Sequence, residues 1–438
     1  MRSPNPGLDP GAALTDWQER ADETSFVKWS YDCTVVTPLY GGGVRAGEVD
    51  QSMPIRATGI RGQLRFWWRL SCALSDPSDV MFERETAIWG GIGSKQPQAS
   101  KVSVQVDKIR GLEVEAAFTY HPSPGGDGCY KSMPKEANWV EPYVAFPARG
   151  ALSGDRRRIE TPPHHLAKPG LGFRLTITLH PELSAEQRAE IQTALRWWAS
   201  FGGVGARTRR GMGAVQVKKL DSNAATPELK PVESEEVAAL GGELRTRSTK
   251  QQDAGSAWKE SIHRLRDFRQ KAGVGRNESS KERVPAGRSR WPEPDLIRRK
   301  TRQHSAEHKP GHPVETAYPR AAFGLPIVFK FKDDKKGDPE QQLLVPDNGD
   351  DDSELDRMAS QLILRPYWDG SNWFPAALLI PGWEQALHTT AKCKALPDSS
   401  YPVWPSDSAE RAELARDIPP MAGLGDDPLT AFMAFFTQ

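Results

Sequence analysis

The hydrophobic periodicity of residues 32–220 constrains the fold most, because it switches twice between the period of a strand and the period of a helix. Alternation of apolar and polar residues predicts strands over Asp32–Tyr40, Lys101–Asp107, Gly172–His180 and Gly213–Leu220. Helical spacing begins at Thr58, and a second helix starts at Ser184, which forms a capping box with Gln187. The order strand, helix, strand, strand, helix, strand is typical of a ferredoxin-like unit, in which both helices cover one face of an antiparallel sheet.

The chain length predicts more than one such unit. Its 438 residues exceed what one hydrophobic core usually organises, so we expect two or three domains. We place a ferredoxin-like domain at residues 26–220, with a long insertion between its second and third strands, and a polar linker at residues 221–255. We interpret residues 256–438 as a degenerate second ferredoxin-like domain with basic and acidic loop insertions. The predicted fold class is α+β, with two βαββαβ domains that are also described as RRM-like.

The predicted second domain contains four recognisable elements. They are a helix at Ala257–Gly273, a strand at Ala321–Lys332, a hairpin formed by residues 357–368 and 373–382, and an apolar C-terminal helix that starts at Pro428. The C-terminal helix is apolar enough that it has to pack on its own domain or on a neighbour.

Composition and charge exclude several classes of protein. The formal net charge is only +1, so attraction to nucleic acid has to come from local clusters of basic residues. The four cysteines are far apart and form no C-x-x-C pair, which argues against a zinc site or disulfide framework and favours a reducing cytoplasm. Neither a signal-peptide pattern nor a run of about 18 apolar residues occurs, so we expect a cytoplasmic protein with no membrane partner.

A glycine-rich basic loop, Gly202–Val215, follows the second predicted helix. It is either a flexible turn that happens to be basic or a cradle in which glycines admit a ligand and arginines bind its phosphate oxygens. A Walker loop precedes a helix and contains a Lys-Ser/Thr pair, whereas this loop follows a helix, precedes a strand and lacks that pair. It also fails the spacing of a dinucleotide-binding loop. A phosphodiester backbone is therefore the best ligand. The candidate residues are Gly203, Gly205, Arg207, Arg209 and Arg210.

Three further basic features extend this candidate interface. The loop after the first strand offers Gly41, Gly42, Gly43 and Arg45. The next helix carries an arginine stripe (Arg61, Arg65 and Arg69), which helix geometry places on one face with no acidic residue four positions away. An external anion would stabilise this stripe, unless acids elsewhere in the fold do so. Residues 257–313 contain 15 Lys and Arg against 7 Asp and Glu, and we expect this segment to fold on RNA or on a neighbouring subunit. From it we include Arg298 and Arg299.

Several of these segments resemble a known family. TPLYGGGVRAGEVDQSMPIRATGIRGQLRFWWR (residues 37–69) and GGVGARTRRGMGAV (residues 202–215) are similar to the RAMP superfamily of CRISPR proteins, in particular to the large RAMP subunit that caps one end of the type III-B (Cmr) complex. PRAAFGLPIVFKF (residues 319–331) and RMASQLILRP (residues 357–366) resemble that subunit's second domain. The resemblance implies two ferredoxin-like domains, guide (crRNA) and target RNA as partners together with the backbone RAMP subunits, and binding near the 3′ end of the guide. It also implies that a backbone subunit cleaves the target.

Histidines are the candidates for catalysis, because some RAMP relatives cut guide precursors with a histidine as general acid or base. Only His164 and His165 are adjacent, and neighbouring residues in a strand or loop point apart. His304, His308 and His312 are spaced by four, but Pro310 and Gly311 break the helix that a metal-binding face would need. We therefore expect no catalytic residue, no metal and no cofactor.

Single-stranded RNA also needs stacking surfaces, for which Tyr40, Trp67 and Trp291 are candidates, although tryptophans on amphipathic helices more often belong to the core. Glu48 and Asp50 are expected to pair with arginines of the first helix rather than to bind Mg²⁺.

Together these observations predict a non-catalytic RNA-binding subunit of a type III-B effector that acts in antiviral defence. Two alternatives stay open: a metal-independent endoribonuclease that processes guide precursors, and a structural adaptor for acidic protein partners.

Overall fold

A computed structural model describes residues 26–43, 45–93, 96–125, 128–220, 224–251, 253–279, 287–347, 357–396 and 398–438 of the chain. Among these, the first half contains ten strands and four α-helices. In chain order they are β1 Val27–Val35, α1 Ala57–Cys72, α2 Ser78–Trp89, β2 Val102–Arg110, β3 Val114–Ala116, β4 Phe118–Thr119, β5 Lys135–Glu136, α3 Pro142–Ala145, β6 Ala151–Leu152, β7 Ile159–Thr161, β8 His165–Ala167, β9 Gly172–Leu179, α4 Ala185–Phe201 and β10 Val215–Lys219.

The long strands of this half form one antiparallel sheet in the order β10–β1–β9–β2. This is the order in which a βαββαβ ferredoxin-like unit places its strands, with α1 and α4 as its two helices. In β1, alternate residues from Trp29 to Val35 are buried, because the helices cover that face of the sheet. The predicted capping box is present: Gln187 N donates to Ser184 Oγ at 3.2 Å, and α4 ends at Gly202.

Two parts of the first half depart from the predicted plan. A helix that was not predicted, α2, follows α1 and packs beside it. The long insertion between β2 and β9 forms three two-stranded sheets, β3–β8, β4–β5 and β6–β7. The insertion is therefore structured rather than a set of open turns, and its buried residues Phe118 and Val140 belong to the core of the second half.

The described residues of the second half contain seven strands and five α-helices. In chain order they are α5 Ser234–Ala239, β11 Glu243–Thr246, α6 Ala254–Gln270, α7 Glu293–Thr301, β12 Ile327–Phe329, β13 Gln342–Pro346, β14 Leu362–Trp368, β15 Trp373–Leu379, β16 Thr390–Cys393, β17 Tyr401–Pro402, α8 Ser408–Arg416 and α9 Pro428–Thr437.

Strands β11, β15 and β14 form an antiparallel sheet in that order, and α6 packs against it. The predicted hairpin is present as β14 and β15, and α9 packs on α6, where the rings of Phe432 and Phe268 lie 5.5 Å apart. No described strand pairs with the outer edge of β11, so a second complete βαββαβ domain is not confirmed. The strand predicted at Ala321–Lys332 is limited to β12, which belongs to a separate sheet, β12–β13–β16–β17.

Two segments described as linker or loop in the sequence analysis are structured instead. The predicted linker at residues 221–255 contains α5 and β11, and β11 pairs with β15, so it belongs to the second sheet. The basic segment at residues 257–313 contains most of α6 and all of α7, and both helices bury apolar residues in the core.

The two halves of the chain share a packed boundary. The ring of Tyr367 in β14 stacks on that of Phe201 at the end of α4, with centroids 6.2 Å apart. The buried Arg365 of β14 donates to Gly202 O at 2.7 Å, and so places a positive charge at the carbonyl end of α4. The glycine-rich loop after α4 therefore begins at the boundary between the halves.

Candidate nucleic-acid interface

Two glycine-rich loops that are far apart in sequence lie side by side. The first glycine loop (residues 41–47) follows β1, and the second glycine loop (residues 202–213) joins α4 to β10. Ala206 N donates to Tyr40 O at 2.8 Å, and Gly213 N donates to Pro38 O at 2.9 Å. The structure therefore brings together two loops that the sequence analysis selected separately.

The loops approach each other at Gly42 and Gly205, which are both exposed and have φ angles of +93° and +76°. Such angles favour glycine. A Cβ on Gly42 would lie 3.7 Å from Gly205 Cα, and a Cβ on Gly205 would lie only 2.5 Å from Leu39 Cδ1. Neither backbone N–H donates to an acceptor within the described residues. The surface here is bare backbone that an oxygen ligand can approach.

Two arginines border this bare backbone. Arg207 is half-buried, and its guanidinium carbon lies 5.0 Å from the ring centroid of Phe146. Burial lowers the pKa of Arg207, and the nearby Tyr40 acts in the opposite direction. Arg45 is exposed in the first glycine loop. Within the described residues neither arginine has a carboxylate partner, so both retain donors for a ligand.

A histidine from the insertion borders the same surface. The His164 ring lies edge-on to Tyr40, with centroids 6.1 Å apart, and a Cβ on Gly47 would lie 2.5 Å from it. Close packing of this ring explains why the position after Ala46 is glycine. In the sequence His164 is recognisable only as one of two adjacent histidines, and its contact with Tyr40 depends on the fold.

The remaining glycines of the predicted site serve packing. A Cβ on Gly43 would lie 2.6 Å from Glu48 O, and one on Gly203 would lie 2.8 Å from Gly213 O. Gly41 is buried against Ala206. These three glycines allow the close packing of the loops, whereas Gly42 and Gly205 expose their backbone to solvent.

Residues 32–216, which contain the ferredoxin-like sheet and both glycine loops, match the family model of the RAMP superfamily. These residues form a RAMP domain. The match confirms the resemblance to the superfamily that the two glycine-rich motifs predicted.

Three solved structures are similar to the whole chain or to part of it. Cmr1 from Pyrococcus furiosus in its apo form is 15% identical, with a TM-score of 0.40 over 81% of this chain and 87% of that one. A chain of the type III-B Cmr-beta complex bound to cognate target RNA is 13% identical, with a TM-score of 0.37 over 90% of this chain and 98% of that one. A chain of a type IV-B CRISPR complex is 16% identical, with a TM-score of 0.28 over 47% of this chain and 96% of that one. No curated protein matches the chain in sequence. Because these TM-scores are below 0.5, the superfamily assignment depends on residues 32–216.

The arginine stripe is neutralised inside the RAMP domain, contrary to the premise of the prediction. Glu85 of α2, only 3% exposed, accepts from Arg65 Nε at 2.6 Å and from Arg69 Nη2 at 2.7 Å. Arg61 donates to Trp89 O at the end of α2. Burial raises the pKa of Glu85, but the hydrogen bonds from Arg69 and Arg65 outweigh it and hold the pKa below its ordinary value. The stripe therefore holds α2 against α1, and its counter-charge is internal.

Arg209 and Arg210 are also committed within the protein. Arg210 donates to Leu362 O and Phe323 O, both at 2.8 Å, and burial lowers its pKa to about 10. Arg209 donates to Ser360 O. These acceptors all belong to the second half of the chain, so the two arginines clamp the RAMP domain to that half instead of facing RNA.

Arg298, which was predicted to bind RNA, is 5% exposed and enclosed by carboxylates. Its Nε and Nη2 both donate to Asp338 at 3.1 Å, and Nη1 donates to Asp295 at 3.2 Å. Arg299 pairs with Glu315 at 3.0 Å and donates to the backbone of residue 312, so it also stabilises the second half.

The aromatic candidates divide in a similar way. Trp67 and Trp291 are each 1% exposed and belong to the two main cores, so they are not stacking platforms. Tyr40 is 9% exposed, but its ring borders the two glycine loops and contacts His164. Of the three, only Tyr40 lies at the candidate interface.

Of the two acidic candidates, Asp50 has local partners. Asp50 approaches Arg56, just before α1, at 3.8 Å and accepts from Ser52 N at 3.0 Å, so it does not pair with the arginine stripe as expected. In the part of the chain that the structure describes, one group of side chains has the spacing of metal ligands: His308, Asp333 and Asp338. Because Arg298 donates to both oxygens of Asp338, this group is better described as a buried ion-pair network.

No described helix is long and apolar enough to cross a membrane.

Proposed function

We propose that this protein is a non-catalytic RNA-binding subunit of a type III-B CRISPR effector complex. In this proposal it binds near the 3′ end of the guide RNA and helps to capture complementary target RNA for antiviral defence. The RAMP domain at residues 32–216 supports the CRISPR assignment, and the resemblance of the glycine-rich motifs to the capping RAMP subunit supports the position in the complex.

One observation carries the proposal: among the described residues the backbone N–H groups of Gly42 and Gly205 have no acceptor, and Arg45 and Arg207 lie in the same two loops. Backbone amides and guanidinium groups are both donors to phosphate oxygens and contribute no base readout. A site built from them favours a sugar-phosphate backbone and predicts binding with weak sequence specificity. Arg61, Arg65, Arg69, Arg209, Arg210, Arg298 and Arg299 take no part in this revised site, since each is bonded within the chain.

The test combines Arg45→Gln and Arg207→Gln and measures the affinity of guide-length RNA by fluorescence anisotropy over a series of salt concentrations. Each phosphate contact on single-stranded nucleic acid contributes about 0.7 to the slope of log K against log salt, so we expect the double variant to lose about 1.4. Weakening should be uniform across RNA sequences. Arg416→Gln removes one positive charge from an exposed position of α8 and controls for charge loss away from the site. An unchanged slope in the double variant would reject this site.

A second candidate function is supported by the position of His164 against Tyr40 at the same surface. A histidine beside bound phosphodiester has the chemistry of a general acid or base for metal-independent RNA cleavage. Incubation of labelled repeat RNA with the chain in the presence of chelator separates the two functions. Specific cleavage that His164→Ala abolishes would establish the endoribonuclease, and intact RNA would support the binding subunit.

A further inference from the structure

A cleft of about 570 Å³ lies where the RAMP domain meets the second half of the chain. Its walls are the end of β1, the start of β10 and the first turn of α6, together with Trp139 from the insertion and Trp373 from β15. The volume is within the range of pockets that enclose small organic ligands, about 300–1,000 Å³. The cleft is therefore large enough for a flat heterocycle.

Three tryptophans are among the apolar residues that line the cleft. Trp139 is half-buried, Trp373 is 9% exposed, and the fully buried Trp258 also lines the cleft. The position of Trp373 is supported by Trp368, whose ring centroid lies 5.0 Å away. Tryptophan faces stack on any nucleobase, because every base has a π-face.

The polar lining suits a neutral ligand with donors and acceptors. Thr34 and Gln216 are opposite residues on β1 and β10, and neither side chain has a hydrogen-bond partner within the described residues. A hydroxyl and an amide can each donate and accept, which matches the edge of a base. Asp253 accepts from Ser256 N and Oγ at 2.8 and 2.7 Å as the N-cap of α6, and Lys259, which also lines the cleft, donates to Asn138 O at 2.6 Å. The two opposite charges leave the lining without a net charge, which suits a neutral base better than a phosphate.

The lining of the cleft lies close to the two glycine loops. Pro38 lines it and lies three residues before Gly41, so their Cα atoms are at most about 11 Å apart. Trp258 Nε1 donates to Arg210 O at 2.8 Å, which connects the cleft lining to the second glycine loop. A polynucleotide whose phosphates lie on the glycine loops would bring a base to the mouth of the cleft.

We propose that this cleft binds one unpaired nucleobase of the RNA that the glycine loops hold, with Trp139 as the stacking surface and Thr34 and Gln216 as its polar contacts. The inference depends on the proposed RNA-binding function. It assigns a base-binding role to the domain boundary, whereas the glycine loops bind only the backbone.

The test compares a short oligouridylate with an abasic oligomer of equal phosphate number, bound to the full chain at one salt concentration. We expect the wild-type protein to prefer the base-bearing oligomer by about tenfold, within the range of stacking contributions measured by aromatic substitution. Trp139→Ala should abolish the preference, and Trp139→Phe, which keeps an aromatic face, should retain most of it. The Arg45→Gln and Arg207→Gln pair should weaken both oligomers equally.

The outcomes separate the two proposals. Equal binding of both oligomers by the wild-type protein, or an undiminished preference in Trp139→Ala, would overturn the cleft as a base site and leave the backbone site intact. Failure of the wild-type protein to bind either oligomer would reject the proposed RNA-binding function and this inference with it. Trp139→Phe also controls for folding, since a loss shared by both Trp139 variants would contradict stacking.

Discussion

Glu85→Gln should destabilise the RAMP domain without weakening RNA binding, because Glu85 is the counter-ion of two arginines. Its buried carboxylate accepts three hydrogen bonds, from Arg65 Nε and from Nε and Nη2 of Arg69. Removal of one partner from a fully buried ion pair costs about 3–5 kcal/mol. The two arginine side chains are 32% and 45% exposed and can regain water, so we expect a smaller loss in the free energy of unfolding, about 2 kcal/mol.

The pH dependence identifies the carboxylate as the cause. The pKa of Glu85 in the folded protein is below its ordinary value of about 4.5, so its contribution is complete above that pH and is lost as the pH falls through the folded pKa. At neutral pH, calorimetry should show the variant melting about 4–8 °C below the wild-type protein, the shift expected for about 2 kcal/mol in a domain of this size. The difference should shrink progressively below about pH 4.5.

Glu413→Gln makes the same chemical change at an exposed position of α8 and should melt with the wild-type protein. Arg65→Ala should lower the melting temperature of the chain and leave the salt dependence of RNA binding unchanged. If Glu85→Gln melts with the wild-type protein while Arg65→Ala or Arg69→Ala weakens RNA binding, the arginine stripe faces RNA and the argument from internal pairing is wrong.

Two further substitutions test the arginines of the second half and of the boundary. Asp338→Asn should lower the free energy of unfolding by about 3 kcal/mol at pH 7, because it leaves the buried Arg298 without its main partner. Hydrogen bonds hold the pKa of Asp338 below its ordinary value despite burial. Chemical denaturation at several pH values should therefore show the difference between variant and wild-type protein narrowing only in strong acid. Arg210→Gln should lower the melting temperature and increase proteolysis at the boundary, because carbonyl oxygens of the second half lose their donors. Arg207→Gln is the control and should change neither. Identical proteolysis of the two variants would contradict the role of Arg210 in holding the two halves together.

The parts of the fold that could be predicted are those that local periodicity determines. The strands and helices of the ferredoxin-like unit follow directly from alternation, helical spacing and the Ser184 capping box. The second sheet was harder to predict because its first strand, β11, has only four residues and lies in a polar stretch that reads as a linker. Its pairing with β15 depends on a contact more than 100 residues away, which no local pattern reports.

The role of the arginine stripe could not be predicted for a related reason. Its counter-ion, Glu85, lies 16 residues after Arg69, in a helix that the sequence analysis missed. A signal was present, since Met81, Ile88 and Trp89 have helical spacing with Glu85 on the same face. Positions four residues away report only on an isolated helix, whereas the charged face of α1 is covered by α2.

An arginine beside glycines in a loop can either bind a ligand or bond to the backbone of its own protein, and it does both through guanidinium hydrogen bonds. Guanidinium N–H groups donate to backbone carbonyl oxygens as readily as to phosphate oxygens, so composition cannot separate a clamp from a ligand site. In the second glycine loop, Arg207 and Gly211 have φ angles of +61° and +71° on either side of a short 3₁₀ turn. Arg209 and Arg210, within that turn, bond to the second half, while Arg207 stays beside Phe146 and the first glycine loop. The backbone turns at Arg207 and Gly211 thus direct Arg209 and Arg210 to the boundary between the halves and leave Arg207 at the proposed RNA surface. A shift of the loop to accommodate RNA would therefore break the bonds of Arg209 and Arg210 to the second half.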